Sequence, residues 1–178
     1  MAVPASAAPL AMLHLGLGSF HRAHQAVYMQ RLLDAGDTAW VLAAGNIRPD
    51  MPESIAALRA QGGAYTLETV TPAGQRRYAR IASIHDVVPW DPALSGLVAR
   101  GADAATRIIS FTVTEAGYYL DGAGRLDAAA LDIAADLAAA RQGRPGSTIY
   151  GALTAILRER MAREAGGVTL LNLSLIHI

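Results

Sequence analysis

An apolar run, Leu10 to Leu15, stops at Gly16-Leu17-Gly18, and a helix-competent segment, Ala23 to Leu33, follows almost at once. Strand, glycine turn and helix in this order form the opening of a dinucleotide-binding βαβ unit. Gly16 would permit the tight turn, and Gly18 would let backbone approach a pyrophosphate with no Cβ in the way. The N–H groups at the helix start would then hold the phosphates. The third glycine of such a fingerprint is absent, since His21 stands in its place. Arg22 adds a fixed cation where an anionic ligand would sit.

Strand-like and helix-like segments alternate along the rest of the chain, which predicts an α/β domain with a largely parallel sheet. Strands are expected at Ala11–Leu15, Trp40–Ala44, Arg107–Val113 (the central one) and Val168–Asn172. Helices are expected at Pro52–Gln61, Asp91–Ala99, Leu126–Ala140 and Ser147–Ala165, the last capped by Ser147 or Thr148. Tyr65–Val70 and Arg76–Ile84, joined by Thr71-Pro72-Ala73-Gly74, read as a β-hairpin inserted at the sheet's periphery.

Composition removes several classes of function. Net charge is zero and the basic residues are scattered, so nucleic-acid binding has no electrostatic footprint. There is no cysteine, which excludes disulfides, thiol catalysis and cysteine-ligated zinc. Residues 1–9 are apolar without a basic start, unlike a secretion signal, and no apolar run approaches the ~20 residues of a membrane span. The expected setting is cytoplasmic. All 15 basic residues are arginine, so no lysine can act as general base or Schiff-base former.

Two strand ends carry the candidate site residues. At the end of the second strand stand Asn46, Arg48 and Asp50. A carboxylate there favours NAD, whereas an arginine accommodates a 2′-phosphate, so Asn46 leans toward NAD and leaves NADP open. After the strand at Arg107–Val113, Thr114 and Glu115 stand where open α/β sheets bind ligands, with Gly117 letting the chain turn away. Glu115 also fits a plain helix N-cap. His14 alternates within an apolar strand and reads as a hydrogen-bonded core residue. His21 and His24 are three apart but have no third ligand nearby, and no metal site is expected. His85 beside Asp86 reads as a loop.

The motif Gly16-x-Gly18-x-Phe20-x-Arg22-Ala23-His24-Gln25, with Thr112-Val113-Thr114-Glu115-Ala116-Gly117-Tyr118-Tyr119, resembles the polyol-specific long-chain dehydrogenases, the mannitol dehydrogenase family. Ala43-Ala44-Gly45-Asn46-Ile47-Arg48, Leu67-Glu68-Thr69-Val70 and Thr148-Ile149-Tyr150-Gly151 are most similar to its D-arabinitol 4-dehydrogenase members. The resemblance runs from Leu13 to Asn172. It implies a Rossmann-type, doubly wound NAD-binding domain over 1–172, with Gly16, Gly18, Phe20 and Arg22 lining the cofactor. It further implies hydride transfer between a sugar alcohol, D-arabinitol giving D-xylulose, and NAD. Uronate reductases of the same family share the motifs.

Family members are longer, with a mostly helical second domain that supplies the catalytic lysine. The resemblance therefore implies that this lysine-free chain is a cofactor-binding piece without turnover of its own; a polyol would be the partner of the longer parent. The family continues after Thr169-Leu170-Leu171-Asn172 with Cys-Asp-Asn, whereas this chain reads Leu173-Ser174-Leu175-Ile176-His177-Ile178. Those six residues are what CTG TCT CTT ATA CAC ATC encodes, a string resembling a transposon-end adapter, so 173–178 are expected to be a non-native tail. The competing reading is a free-standing nucleotide-binding or regulatory module with a natural edge strand.

Overall fold

A computed structural model describes residues 8–173. Its five-stranded parallel sheet has the order β5-β2-β1-β6-β7, built from β1 (Leu10–Leu15), β2 (Trp40–Gly45), β5 (Ile84–Val87), β6 (Thr106–Phe111) and β7 (Thr169–Asn172). The hairpin, β3 (Tyr65–Val70) with β4 (Arg76–Ile81), forms a separate antiparallel pair. This is the Rossmann order with a hairpin inserted before its third sheet strand, and it matches the expected fold class.

Alternation along the strands makes two apolar layers. Leu42 and Ala44 face one side with Ala26 and Met29 of α2 (Gln25–Asp34) and Ile55 and Leu58 of α3 (Pro52–Ala60). Leu13, Leu15, Ala43 and Ile109 face the other with Leu97 of α4 (Ser95–Gly101) and Ala152, Leu153 and Ile156 of α6 (Ile149–Ala162). Helices therefore cover both faces, and α5 (Leu131–Arg141) adds to the second through α6. Among the described residues no helix is long and apolar enough to cross a membrane.

Several expected elements are corrected. The first helix begins at Ser19 rather than Ala23 and divides into α1 (Ser19–Ala23) and α2, because His24 leaves helical geometry at φ −125 and ψ −78. The strand expected to reach Ile84 stops at Ile81, and Ile84–Val87 joins the main sheet beside β2; His85 and Asp86 are thus strand residues, not loop. The helix expected from Asp91 starts at Ser95, since the Asp91 carboxylate accepts from the Ala93 and Ser95 amides and makes a turn first. Leu126 pairs with Leu120 in a bridge, so the next helix starts at Leu131. The sheet's centre is β1, and β6 lies beside it. Of the expected tail, Leu173 donates its amide to Phe111 at 2.8 Å, and 174–178 lie outside the described residues, as do 1–7.

Candidate functional site

Strand order reverses between β1 and β6, and the chain leaves both strands at the same edge of the sheet. A cleft of about 370 Å³ opens there, lined among others by Gly16, Asn46, Arg48, Asp50, Thr114 and Thr148. Its floor is the glycine turn. Gly16 sits at φ +135, a conformation for which glycine alone has no steric objection, and donates its amide to Gly45 at 2.8 Å. Leu17 turns inward, 1% exposed, and its amide is met by Asn46 Oδ1 at 2.7 Å. A Cβ at Gly18 would meet nothing within 4 Å, so the outer face of the turn is open.

One wall is the loop after β2. Asn46 is buried; besides accepting from Leu17 it donates Nδ2 to the Asp50 carboxylate at 2.5 Å. Both ends of its amide are thereby used inside the protein, and the Asp50 carboxylate is the group this wall offers to the cleft. Asp50 also lines a second cavity of about 200 Å³, together with Pro49, Pro52, Ile55, Arg59 and Trp90. The indole of Trp90 is fixed by donating to Ile47 O at 3.3 Å.

The opposite wall is the segment after β6 and the start of α6. Thr114 caps a 3₁₀ turn, Glu115–Tyr118, and Gly117 fits because a Cβ there would strike Val113. Thr112, also in the cleft, has a hydroxyl that is buried and unpartnered. Thr148 is the N-cap of α6, accepting from Gly151 N at 3.3 Å. Its hydroxyl donates to Asp136 of α5 at 2.5 Å, and Ser147 N donates to the same carboxylate at 2.7 Å. A Cβ at Gly146 or Gly151 would overlap that carboxylate, so both glycines make room for a buried acid that fixes the wall.

Arg48 reaches across the mouth. Its Nε donates to Ser147 O at 3.0 Å and its Nη2 to the Tyr119 hydroxyl at 3.2 Å, with Asp132 at 3.8 Å. The Tyr119 hydroxyl in turn donates to Asp132 at 2.6 Å, a bond to a carboxylate that raises its pKa. Half-exposed groups of this kind are held loosely.

The expected site residues therefore divide. Gly16, Asn46, Arg48 and Thr114 line the cleft, whereas Gly18, Phe20, Arg22 and Glu115 do not. Phe20 stacks on His24 at 4.4 Å. Arg22 lies beside Tyr65, whose hydroxyl donates to Arg22 O at 2.5 Å; burial pushes that phenol up to about 12 even with the guanidinium near. Arg22 Nε is buried without a partner. Glu115 lies in a separate hollow with Leu120 and Asp121. Trp90, Thr112, Thr148 and Asp136 were not singled out as site residues from sequence. The fold brings Thr112 into the cleft with Gly16 and Trp90 into the adjoining cavity with Asp50; the signals visible in the sequence were the motif containing Thr112 and the capping role of Thr148.

The family described as the mannitol dehydrogenase Rossmann domain matches residues 10–172. A D-arabinitol 4-dehydrogenase of Klebsiella pneumoniae is 53% identical over 160 residues, covering 90% of this chain and 34% of that protein. One from Ralstonia nicotianae is 56% identical over 161 residues, covering 89% and 34%. Among solved structures, Pseudomonas fluorescens mannitol 2-dehydrogenase in ternary complex with NAD and D-mannitol superposes with a TM-score of 0.82 at 28% identity, covering 93% of this chain and 34% of that one. The chain thus spans about a third of the length of these relatives.

Proposed function

This chain belongs to the mannitol dehydrogenase family, and from that premise we propose that its cleft binds NAD for hydride exchange with a sugar alcohol, D-arabinitol giving D-xylulose. The carrying observation is the cleft at the reversal of strand order, with a glycine turn for a floor and the Asp50 carboxylate on one wall. The residues present fit a dinucleotide. Gly18 leaves the outer face of the turn open. Asp50 would accept ribose hydroxyls, and its charge would repel a 2′-phosphate. The cavity lined by Trp90 and the prolines is apolar enough for adenine, and Asp50 joins it to the main cleft. Thr112 and Thr114 would border the reacting end, where the buried Thr112 hydroxyl lacks a partner.

Bound NAD supplies the hydride acceptor. Oxidising an alcohol also requires a base for the hydroxyl proton. No residue lining the cleft is assigned that role: the Asp50 carboxylate stands on the wall opposite Thr112 and Thr114, and the chain contains no lysine. We therefore read these residues as the cofactor-binding part of the enzyme, with turnover depending on groups outside this chain.

Titration calorimetry of the purified chain with NAD+ and with NADP+ tests the reading. The expected result is measurable NAD+ binding and weaker NADP+ binding, with no D-arabinitol oxidation. Equal affinity for both would remove Asp50 as the discriminating group, absence of NAD+ binding would overturn the cofactor reading, and steady turnover would overturn the inactivity.

A further inference from the structure

His21 stands where a dinucleotide turn ordinarily has its third glycine, the residue that lets helix and strand approach closely. The imidazole is nonetheless inside: His14 and His21 are each 2% exposed and stack with ring centres 3.9 Å apart and planes 11° from parallel. The pair is tied into a closed circuit. His14 Nδ1 meets Ser110 Oγ at 2.9 Å, Gln25 Nε2 donates to the same Oγ at 3.0 Å, and His21 Nδ1 meets Gln25 Oε1 at 2.8 Å. The remaining Gln25 donor faces Met12 Sδ at 2.9 Å.

The shortest contacts favour one proton arrangement. Gln25 Oε1 can only accept, so His21 carries its hydrogen on Nδ1 and presents a bare Nε2, the buried atom without a partner. Ser110 accepts from Gln25, and its own hydrogen is directed to His14 Nδ1, nearer at 2.9 Å than Gln25 Oε1 at 3.3 Å. His14 then holds its hydrogen on Nε2, the atom that lies 3.7 Å from where a Cβ of Gly16 would be. The circuit joins β1, β6, α1 and α2 directly behind the turn.

We propose that His14, Ser110, Gln25 and His21 form a closed polar circuit that holds the Gly16–Gly18 turn in its binding shape, the two histidines acting as positioning residues. A glycine at position 21 would bring α1 close but leave it unanchored. The stacked pair instead sets its distance with two rings and its rotation with directional hydrogen bonds. That the shaped turn serves NAD rests on the functional reading above; the positioning itself does not.

The test uses the intact chain labelled with 15N. Long-range 1H–15N spectra of the histidine rings are expected to show His21 protonated on Nδ1 and His14 on Nε2. Ser110→Ala should speed amide exchange at Leu17 by about tenfold, the scale of one lost hydrogen bond, while exchange within α6 stays unchanged. Both rings on the ordinary Nε2 tautomer, unchanged exchange at Leu17, or equal acceleration in α6 would overturn the proposal. Should Ser110→Ala not fold, Gln25→Met opens the circuit at a half-buried link and is read the same way. A parallel NAD+ titration is expected to show about tenfold weaker binding in the variant. If the unaltered chain binds no NAD+, the functional reading falls, while the tautomers and exchange rates still decide the positioning.

Discussion

Asn46 Oδ1 accepts the backbone N–H of Leu17 at 2.7 Å, so the end of β2 holds the glycine turn that follows β1. The same amide grips Asp50 with its other end. A single buried side chain therefore couples the turn that would face the phosphates to the carboxylate that would face the ribose. Asn46→Ala leaves a buried amide without an acceptor and releases Asp50. Stability should fall by about 1–3 kcal/mol in urea melts, and NAD+ affinity should fall with it. An unchanged melting midpoint would show that the turn is held by Gly16 and Gly45 alone.

Asp50→Ser removes the negative charge shared by the two cavities. The ratio of NADP+ to NAD+ affinity should rise by about tenfold or more, the effect of one charge-assisted contact. Calorimetric titration of both cofactors checks this. Loss of affinity for both in equal proportion would assign Asp50 to shaping the loop rather than to selecting the cofactor.

Acid should destabilise the protein through the stacked histidines. Burial, with the charge of its stacked neighbour, pushes His14 down to about 2 from 6.5; burial, with the nearby Arg22, pushes His21 down to about 4 in spite of its bond to Gln25. Ser110, Met12 and Gln25, the other groups against the rings, carry no charge to offset this. Since the folded values lie below the unfolded one, the stability held above pH 6.5 is lost as pH falls toward 4. At pH 5 the loss should be roughly 2 kcal/mol per histidine. Thermal melts from pH 7.5 to 5 should show the drop, and His21→Phe should flatten it. A profile unchanged in that variant would place the acid sensitivity elsewhere.

Arg160 of α6 is 3% exposed, and its guanidinium donates to the carbonyls of Gly101, Asp103, Ala165, Gly166 and Gly167, with no carboxylate among its partners. Those carbonyls cluster where α4 and α6 end, and helix C-termini favour a cation. Arg160→Met keeps the stem but strands the carbonyls, and should lower stability by roughly 3 kcal/mol. NAD+ affinity should be unchanged, since the cluster is remote from the cleft lining. A small loss of stability would mean that water replaces the guanidinium.

Most of the architecture was legible because it rests on local rules. Apolar runs ending in glycine gave the parallel strands, Thr71-Pro72-Ala73-Gly74 gave the hairpin turn, and the placing of His14 in an apolar strand gave its buried, hydrogen-bonded state. Errors arose where a nonlocal contact, or a side chain closing its own turn, overrode the pattern of the segment. Ile84–Val87 is a strand because β2 offers a ladder to it, and no period within four residues announces that. The helix at Ser95 is delayed by the carboxylate of Asp91, which prefers to close its own turn.

The amino-acid sequence by itself determined the α/β class, the glycine turn after β1, the absence of lysine and cysteine chemistry, and the family. Tertiary structure alone decided which polar groups are free to meet a ligand. Asn46 and Arg48 were equal candidates as letters, yet one is consumed inside the wall and the other spans the mouth, leaving Asp50 to the cleft. His21 likewise looks like a missing glycine until His14, Ser110 and Gln25 are folded around it. Propensities and turn chemistry act over a few residues, whereas hydrogen-bond saturation is settled by partners up to 99 positions away.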